Sequence, residues 1–157
     1  MTTTKTCADV IRLGAPRFLA IVMLLGLLVA GRGSYAGNEP DWVLVDSDPS
    51  TSDFYYDKSA VNKTPQGILK VTTKVIYSED GKADALHVLD AKKYANLAYT
   101  LFFYELDCSK RMSHLTRVVH TDDNGAKIAE FDLAGKSSWE EIPEDSRLEV
   151  ILTEQCN

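Results

Sequence analysis

The sequence predicts an α+β fold, a meandering antiparallel sheet of about six strands with a C-terminal helix packed on it and one disulfide. Three observations predict it. Beyond residue 36 the chain passes through short segments rich in aromatic and β-branched residues, separated by clusters of Asp, Ser, Asn, Gly and Pro. One separator, Asp122-Asp123-Asn124-Gly125, contains Asn-Gly, a strong short-range hairpin signal because both residues tolerate positive φ. At the end of the chain the hydrophobic period changes: Leu148, Ile151, Leu152 and Cys156 recur at helical spacing on one face.

Each element has its own local reason. Trp42-Val43-Leu44-Val45 reads as a strand stopped by Asp46–Ser50, and Asp53–Asp57 as a second, with turns at Lys58–Lys63 and Pro65–Gly67. Ile68–Ser78 alternates, with Leu69, Val71, Val75 and Tyr77 on one side and Lys70, Thr72 and Lys74 on the other, the pattern of a half-buried strand. Glu79-Asp80-Gly81 reads as its terminator. Lys82–Lys93 has neither Pro nor Gly and places Ala85, Leu86 and Leu89 at helical spacing, which predicts a short helix.

Leu97–Cys108 is apolar on both faces, with Tyr99, Leu101 and Phe103 opposite Phe102, Tyr104, Leu106 and Cys108. Such a strand belongs in the middle of a sheet, covered by a helix on one side, with a partner subunit a candidate for the other. Arg111–Thr121 and Ala126–Leu133 complete the hairpin. Ser146 and Glu149 form a capping box at the start of the last helix.

The segment before the sheet is different. Phe18–Ala30 is an unbroken apolar or small run, preceded by Lys5, Arg12 and Arg17 and followed by Ser34-Tyr35-Ala36. Basic flank, short apolar stretch and small cleavage-site residues predict a signal peptide over residues 1–36 and a single domain over residues 37–157. The protein is therefore expected to be exported, periplasmic or secreted to the cell surface, with no integral membrane segment after cleavage. Leader removal takes away four basic residues (Lys5, Arg12, Arg17, Arg32) and one acidic residue (Asp9), out of 17 Lys+Arg and 23 Asp+Glu. The rest, more acidic than the whole, repels nucleic acid and anionic lipid, so no nucleic-acid partner is expected.

Of the three cysteines, Cys7 lies in the leader; Cys108 and Cys156 remain. Two cysteines in an exported domain pair most simply as one disulfide, and the rival, a free reactive pair, lacks a Cys-x-x-Cys spacing. The bridge would tie the last helix to the central strand.

Motifs for chemistry are sparse. His114 and His120, six apart on one strand, are expected on one face but roughly 20 Å from each other, too far to share a metal. Asp122–Gly125 lacks the alternate ligands and closing Glu of a calcium loop. No nucleophile elbow, phosphate loop or dinucleotide fingerprint occurs. Glu105/Asp107 and Glu140/Glu141 are carboxylate pairs that a solvated acidic surface explains as well as acid–base chemistry does. The reading is a non-enzymatic domain without metal or cofactor. Lys110, Arg111, His114, Arg117 and His120 concentrate positive character on one strand, either as a solvated face balancing nearby acids or as a contact strip for an acidic or glycosylated partner.

Trp42-Val43, Phe54-Tyr55-Tyr56-Asp57, Tyr104-Glu105-Leu106-Asp107-Cys108, His114-Leu115-Thr116-Arg117-Val118 and a terminal helix ending in Cys156 form an ordered set. Over about residues 41–156 that set resembles the surface-adhesin protein E family. The resemblance implies a small exported bacterial domain, with dimers as one form, that binds a macromolecular partner through a sheet face. The implied partner is a host or matrix glycoprotein or an envelope component, met by the surface around the cysteine-bearing strand. Carried over by position, the contact residues are Lys110, Arg111, His114 and Arg117. The alternative is a homodimeric structural or assembly accessory of the cell envelope.

Overall fold

Strand-forming segments and polar turns alternate through most of the computed structural model, which describes residues 39–157. The leader expected over residues 1–36 lies outside the described residues. The strands are β1 (Trp42–Asp48), β2 (Ser52–Asp57), β3 (Asn62–Lys63), β4 (Ile68–Tyr77), β5 (Leu97–Asp107), β6 (Met112–Asp122), β7 (Lys127–Asp132) and β8 (Glu140–Glu141). Helix α1 is Glu79–Val88 and α2 is Arg147–Cys156. All pairings are antiparallel, in the order β1-β2-β4-β5-β6-β7. The two-residue strands β3 and β8 extend the lines of β2 and β7 alongside β4 and β6. The expected meander of six strands, with α2 and one disulfide, is the observed fold.

The register divides the side chains between two faces. Phe54↔Val75, Tyr56↔Thr73, Leu69↔Leu106 and Val71↔Tyr104 are cross-strand partners on the inner face. Ile151 and Leu152 of α2 close over that face, and with Phe54, Tyr56, Leu69, Val71, Val75, Leu106 and Ile142 they form the core. Fully burying each such side chain contributes about 1.5–3 kcal/mol. Tyr56 is wholly buried; its hydroxyl donates to Glu154 and accepts from Gln155 of α2. Burial first, then the bond to Glu154, pushes that phenol up to about 12. Cys108 and Cys156 are bonded, with their Cα atoms 5.7 Å apart, so the end of α2 is fastened to the end of β5.

Four local expectations shift. Helix α1 starts at Glu79, not Lys82, because the Ser78 side chain caps it by accepting from Gly81 N–H. Gly81 does not end β4; it lies inside the first helical turn, where a Cβ would meet the Thr51 carbonyl oxygen at 1.8 Å. Only glycine lets the two backbones approach that closely. The helix stops at Leu89 because Asp90 begins a new turn, accepting from the N–H groups of Lys92 and Lys93.

The β6–β7 hairpin is built around a turn with Asp123-Asn124 at its centre, Gly125 N–H bonding to Asp122 carbonyl. Of the Asn-Gly pair only Gly125 has positive φ, at 79°, the signature of a three-residue loop with a glycine bulge. The Asp122 carboxylate selects that loop by accepting from Asn124 and Ala126 N–H. In the capping box, Ser146 accepts from Glu149 N–H as expected, whereas Glu149 reaches back to Asp145 N–H, one residue earlier than predicted.

The fourth shift decides the site. The register of β6 against β5 slips between Phe103 and Tyr104, which pair with Arg117 and Leu115. Thr116 is the extra residue of a β-bulge, its hydroxyl donating to the Phe103 carbonyl at 3.0 Å. One inserted residue reverses the alternation of everything beyond it. His114 and His120 therefore lie on opposite faces, correcting the expectation that they share one. His114 pairs with Glu105 on the outer face, and His120 is buried on the inner face beside Thr100.

Candidate functional site

The outer face carries no covering element among the described residues, yet it is not polar. Trp42, Leu44 and Tyr55 lie at its β1–β2 end, Ile76 on β4, and Tyr99, Leu101 and Phe103 on β5, cross-strand from Ile76, Lys74 and Thr72. Leu44 remains 52% and Ile76 37% exposed. The same alternation that buries Leu69, Val71 and Val75 against α2 presents this second apolar set outward.

Charges punctuate the stripe. The Lys74 ammonium sits 4.1 Å from the Trp42 ring centroid and 5.1 Å from that of Tyr55. Desolvation under those rings lowers its pKa from the usual lysine range, the charge of Asp57 opposing the shift. The Arg117 guanidinium lies 3.7 Å from the centre of the Phe103 ring and donates to Glu130 at 3.3 Å. Glu130 also binds Lys127, and its pKa is lowered first by the Lys127 hydrogen bond and then by that ion's charge. Glu105 stands between His114 Nδ1 at 3.4 Å and Lys70 Nζ at 3.7 Å. The His114 ring is 5.2 Å from that of Trp139, whose side chain is on the same face. Phe103, Glu105, His114 and Arg117, with Lys70 and Thr72, line a shallow recess of about 340 Å³.

The structure separates the four sequence-derived contact residues. The bulge at Thr116 brings His114 and Arg117 together on the outer face, although they are three apart and strict alternation would oppose them. Lys110 lies in the β5–β6 turn, its ammonium 3.4 Å from Asp107. The Asp107 carboxylate is held below the usual range by its bond from the Ser109 side chain, then by the Lys110 N–H. Arg111, at φ 54°, turns toward α2 and pairs with Glu149. Lys110, Arg111 and Arg117 thus each have a carboxylate partner, as the His114 ring has in Glu105, and exposed ion pairs of the Lys and Arg kind contribute only about 0–1 kcal/mol to stability each. Their value lies in orientation and in the charge pattern shown to a partner.

Lys70, Lys74, Phe103 and Trp139 are outer-face residues that the contact strip omits. The alternation of β4 shows that its lysines face outward. What they face requires the cross-strand register, and that depends on bulges written in no Gly or Pro. Tyr56 is core, whereas Tyr55 and Trp139 remain on the open side. Among the described residues no group of three or more His, Cys, Asp or Glu side chains is placed to hold a metal ion.

One sheet, closed on its inner side by a disulfide-tethered helix and open on an aromatic outer side, defines a small α+β domain that presents a sheet surface. Among the described residues, no helix is long and apolar enough to cross a membrane. The chain belongs to the surface-adhesin protein E family, whose model matches residues 42–157, so it is an adhesin-like surface or exported protein. Neither a curated protein nor a solved structure matches it.

Proposed function

We propose that residues 37–157 form a single exported, non-enzymatic binding domain, released from a leader over residues 1–36, that engages a macromolecular partner through the outer sheet face. The partner is a host or matrix glycoprotein or a component of the envelope. The observation that carries this reading is the open stripe of Trp42, Tyr55, Ile76, Leu101 and Phe103, flanked by the Arg117–Glu130 and Lys70–Glu105–His114 clusters. Apolar and aromatic centres with polar rims are the anatomy of protein interfaces, and family membership gives the same direction. Lys110, Arg111, His114 and Arg117 are its proposed contact residues, His114 and Arg117 from the face itself and Lys110 and Arg111 from the adjoining turn.

The test is binding of the oxidised domain to matrix glycoproteins, peptidoglycan and its own envelope extract. Replacing Lys110, Arg111 and Arg117 by Glu should abolish saturable, salt-sensitive binding and leave the far-ultraviolet circular dichroism unchanged. Retained affinity with an unchanged salt dependence contradicts the contact assignment.

A second reading has its own support. Leu44 at 52% and Ile76 at 37% exposure, beside half-buried Tyr99 and Leu101, are what a self-complementary sheet face would cover in a homodimer. In that case the domain is a structural or assembly accessory of the envelope. Sedimentation equilibrium decides: a strict monomer at high concentration removes the homodimer.

A further inference from the structure

Among the described residues only two that are not glycine have a left-handed backbone, Arg111 at φ 54° and Asp145 at φ 60°. They lie in different loops, the β5–β6 turn and the approach to α2, yet they share one partner. The Arg111 guanidinium donates to Glu149 Oε1, and the Asp145 N–H donates to Glu149 Oε2. We propose that Glu149 is a positioning residue for the β5–β6 turn: its two oxygens hold both left-handed residues and so fix how Lys110 and Arg111 are presented. That role rests on the reading of those two side chains as contact residues, and Glu149 is a residue outside the contact set that governs them.

The amino acid at position 111 is the unexpected part. Glycine adopts a left-handed backbone without steric cost, and Asp tolerates it because its short side chain can hydrogen-bond locally; Arg has neither advantage. Non-glycine residues in this conformation persist only where their surroundings over-determine them, and they gather at binding and switch regions. The β5–β6 turn is held in that way. The Asp107 carboxylate accepts from the Ser109 N–H and hydroxyl and from the Lys110 N–H, which shapes the first half of the turn. The Arg111 carbonyl accepts from the Ile142 N–H at 2.9 Å.

Helix α2 supplies the remaining restraints. Cys108 is bonded to Cys156, its last residue, and Arg111 is paired with Glu149, its third. The helix therefore grips the turn twice, covalently at Cys108 and by an ion pair at Arg111, with Ser109 and Lys110 between the two grips. Glycine at position 111 would make the same turn and forfeit the second grip. The Arg111 hydrogen bond, then that from the Asp145 N–H, holds the Glu149 carboxyl below its usual range, so it stays ionised and engaged at neutral pH. Lys110 remains exposed, and the backbone that aims it is the segment so held.

The experiment combines NMR with a mutant cycle on the oxidised protein and needs no partner. In the wild type, Arg111 and Asp145 should each give the strong intraresidue HN–Hα cross-peak of positive φ, and the Lys110 and Arg111 amides a heteronuclear NOE as high as that of β5. Glu149→Ala should lower the heteronuclear NOE of Lys110, Arg111 and Asp145 while the amide shifts of β1 and β2 hold. Glu149→Gln, with one acceptor oxygen in place of two, should fall between. In urea unfolding, Arg111→Gly should shift the midpoint more favourably in the Glu149→Ala background than in the wild type, because there it relieves the left-handed backbone without removing an ion pair. A carboxylate that served only the first turn of α2, through the helix dipole, would give additive effects and an unchanged turn. Additivity of the two substitutions, or Lys110 and Arg111 amides as rigid in Glu149→Ala as in the wild type, overturns the proposal. The charge reversals at Lys110, Arg111 and Arg117 test the contact reading separately, so either claim can fail without the other.

Discussion

The two faces of this sheet are built from the same strands with nearly the same amino acids, and they are covered differently. On β4, Leu69, Val71 and Val75 are buried under α2, while one residue away Lys70 and Ile76 are exposed. On β5, Leu106 is fully buried on the inner side and Leu101 and Phe103 are only half covered on the outer. The difference lies in what the chain sends back over each face. The inner face receives α2, locked by the Cys108–Cys156 bond and by Tyr56 hydrogen bonds to Glu154 and Gln155. It also receives Tyr94, which packs edge-on against His120 at 5.0 Å between ring centroids. Onto the outer face the Trp139 side chain folds back, against His114, in place of a tethered helix. Hydrophobic character alone does not decide which face becomes core; coverage does.

The largest way to break the comparison is to cut the tether. Replacing Cys108 and Cys156 together by Ala opens a loop with a sequence separation of 48. The expected loss is about 4 kcal/mol on the chain-entropy model, read from urea unfolding. Amide protection should fall first in α2, and the outer strands should hold their register.

A smaller and sharper contrast pairs one side chain from each face. Ile151→Ala removes a fully buried core residue and should cost about 2–5 kcal/mol. Ile76→Ala removes a residue already 37% exposed and should cost less than about 1 kcal/mol. Partner binding should respond in the opposite order. Equal losses of stability would mean that the outer face is as much a part of the core as the inner.

Much of this arrangement is legible in the sequence, and the failures are instructive. The two-faced run Leu97–Cys108 places β5 in the middle of the sheet, the alternation of Ile68–Ser78 marks β4 as half-buried, and the spacing of Leu148, Ile151, Leu152 and Cys156 fixes the buried face of α2. These patterns are enforced by burial, the strongest term. Positions set by a single hydrogen bond are less visible. The Thr116 bulge rests on one hydroxyl and one carbonyl, and it decides that His114 joins Arg117 and parts from His120. Gly81 reads as a breaker because its reason for being glycine, the Thr51 carbonyl, is 30 residues away in the chain. The contact strip of Lys110, Arg111, His114 and Arg117 is contiguous in sequence, whereas a sheet surface is assembled across strands, so Phe103, Lys70 and Trp139 escape any reading along one segment.

The smallest expected effect comes from His120. Its Nδ1 is 2.9 Å from the Thr100 hydroxyl, which also accepts from Tyr77. Burial, and secondarily the charge of Lys93, lowers its pKa below the ordinary 6.5. Folded His120 therefore stays neutral where the unfolded chain binds a proton. Its contribution to stability is complete above pH 6.5 and declines as pH falls from there toward the lowered value. Urea midpoints between pH 7.5 and 5 should show that decline, and His120→Asn should flatten it.

The most direct measurement labels the methyl groups of both faces and follows them as partner is added. Using the matrix or envelope fraction that binds in the panel above, the methyl signals of Leu44, Ile76, Leu101 and Val119 should shift or broaden at saturation. Those of Ile151 and Leu152 should keep their positions. Perturbation of Ile151 and Leu152 with Ile76 and Leu101 unmoved would contradict the assignment of folding to one face and binding to the other.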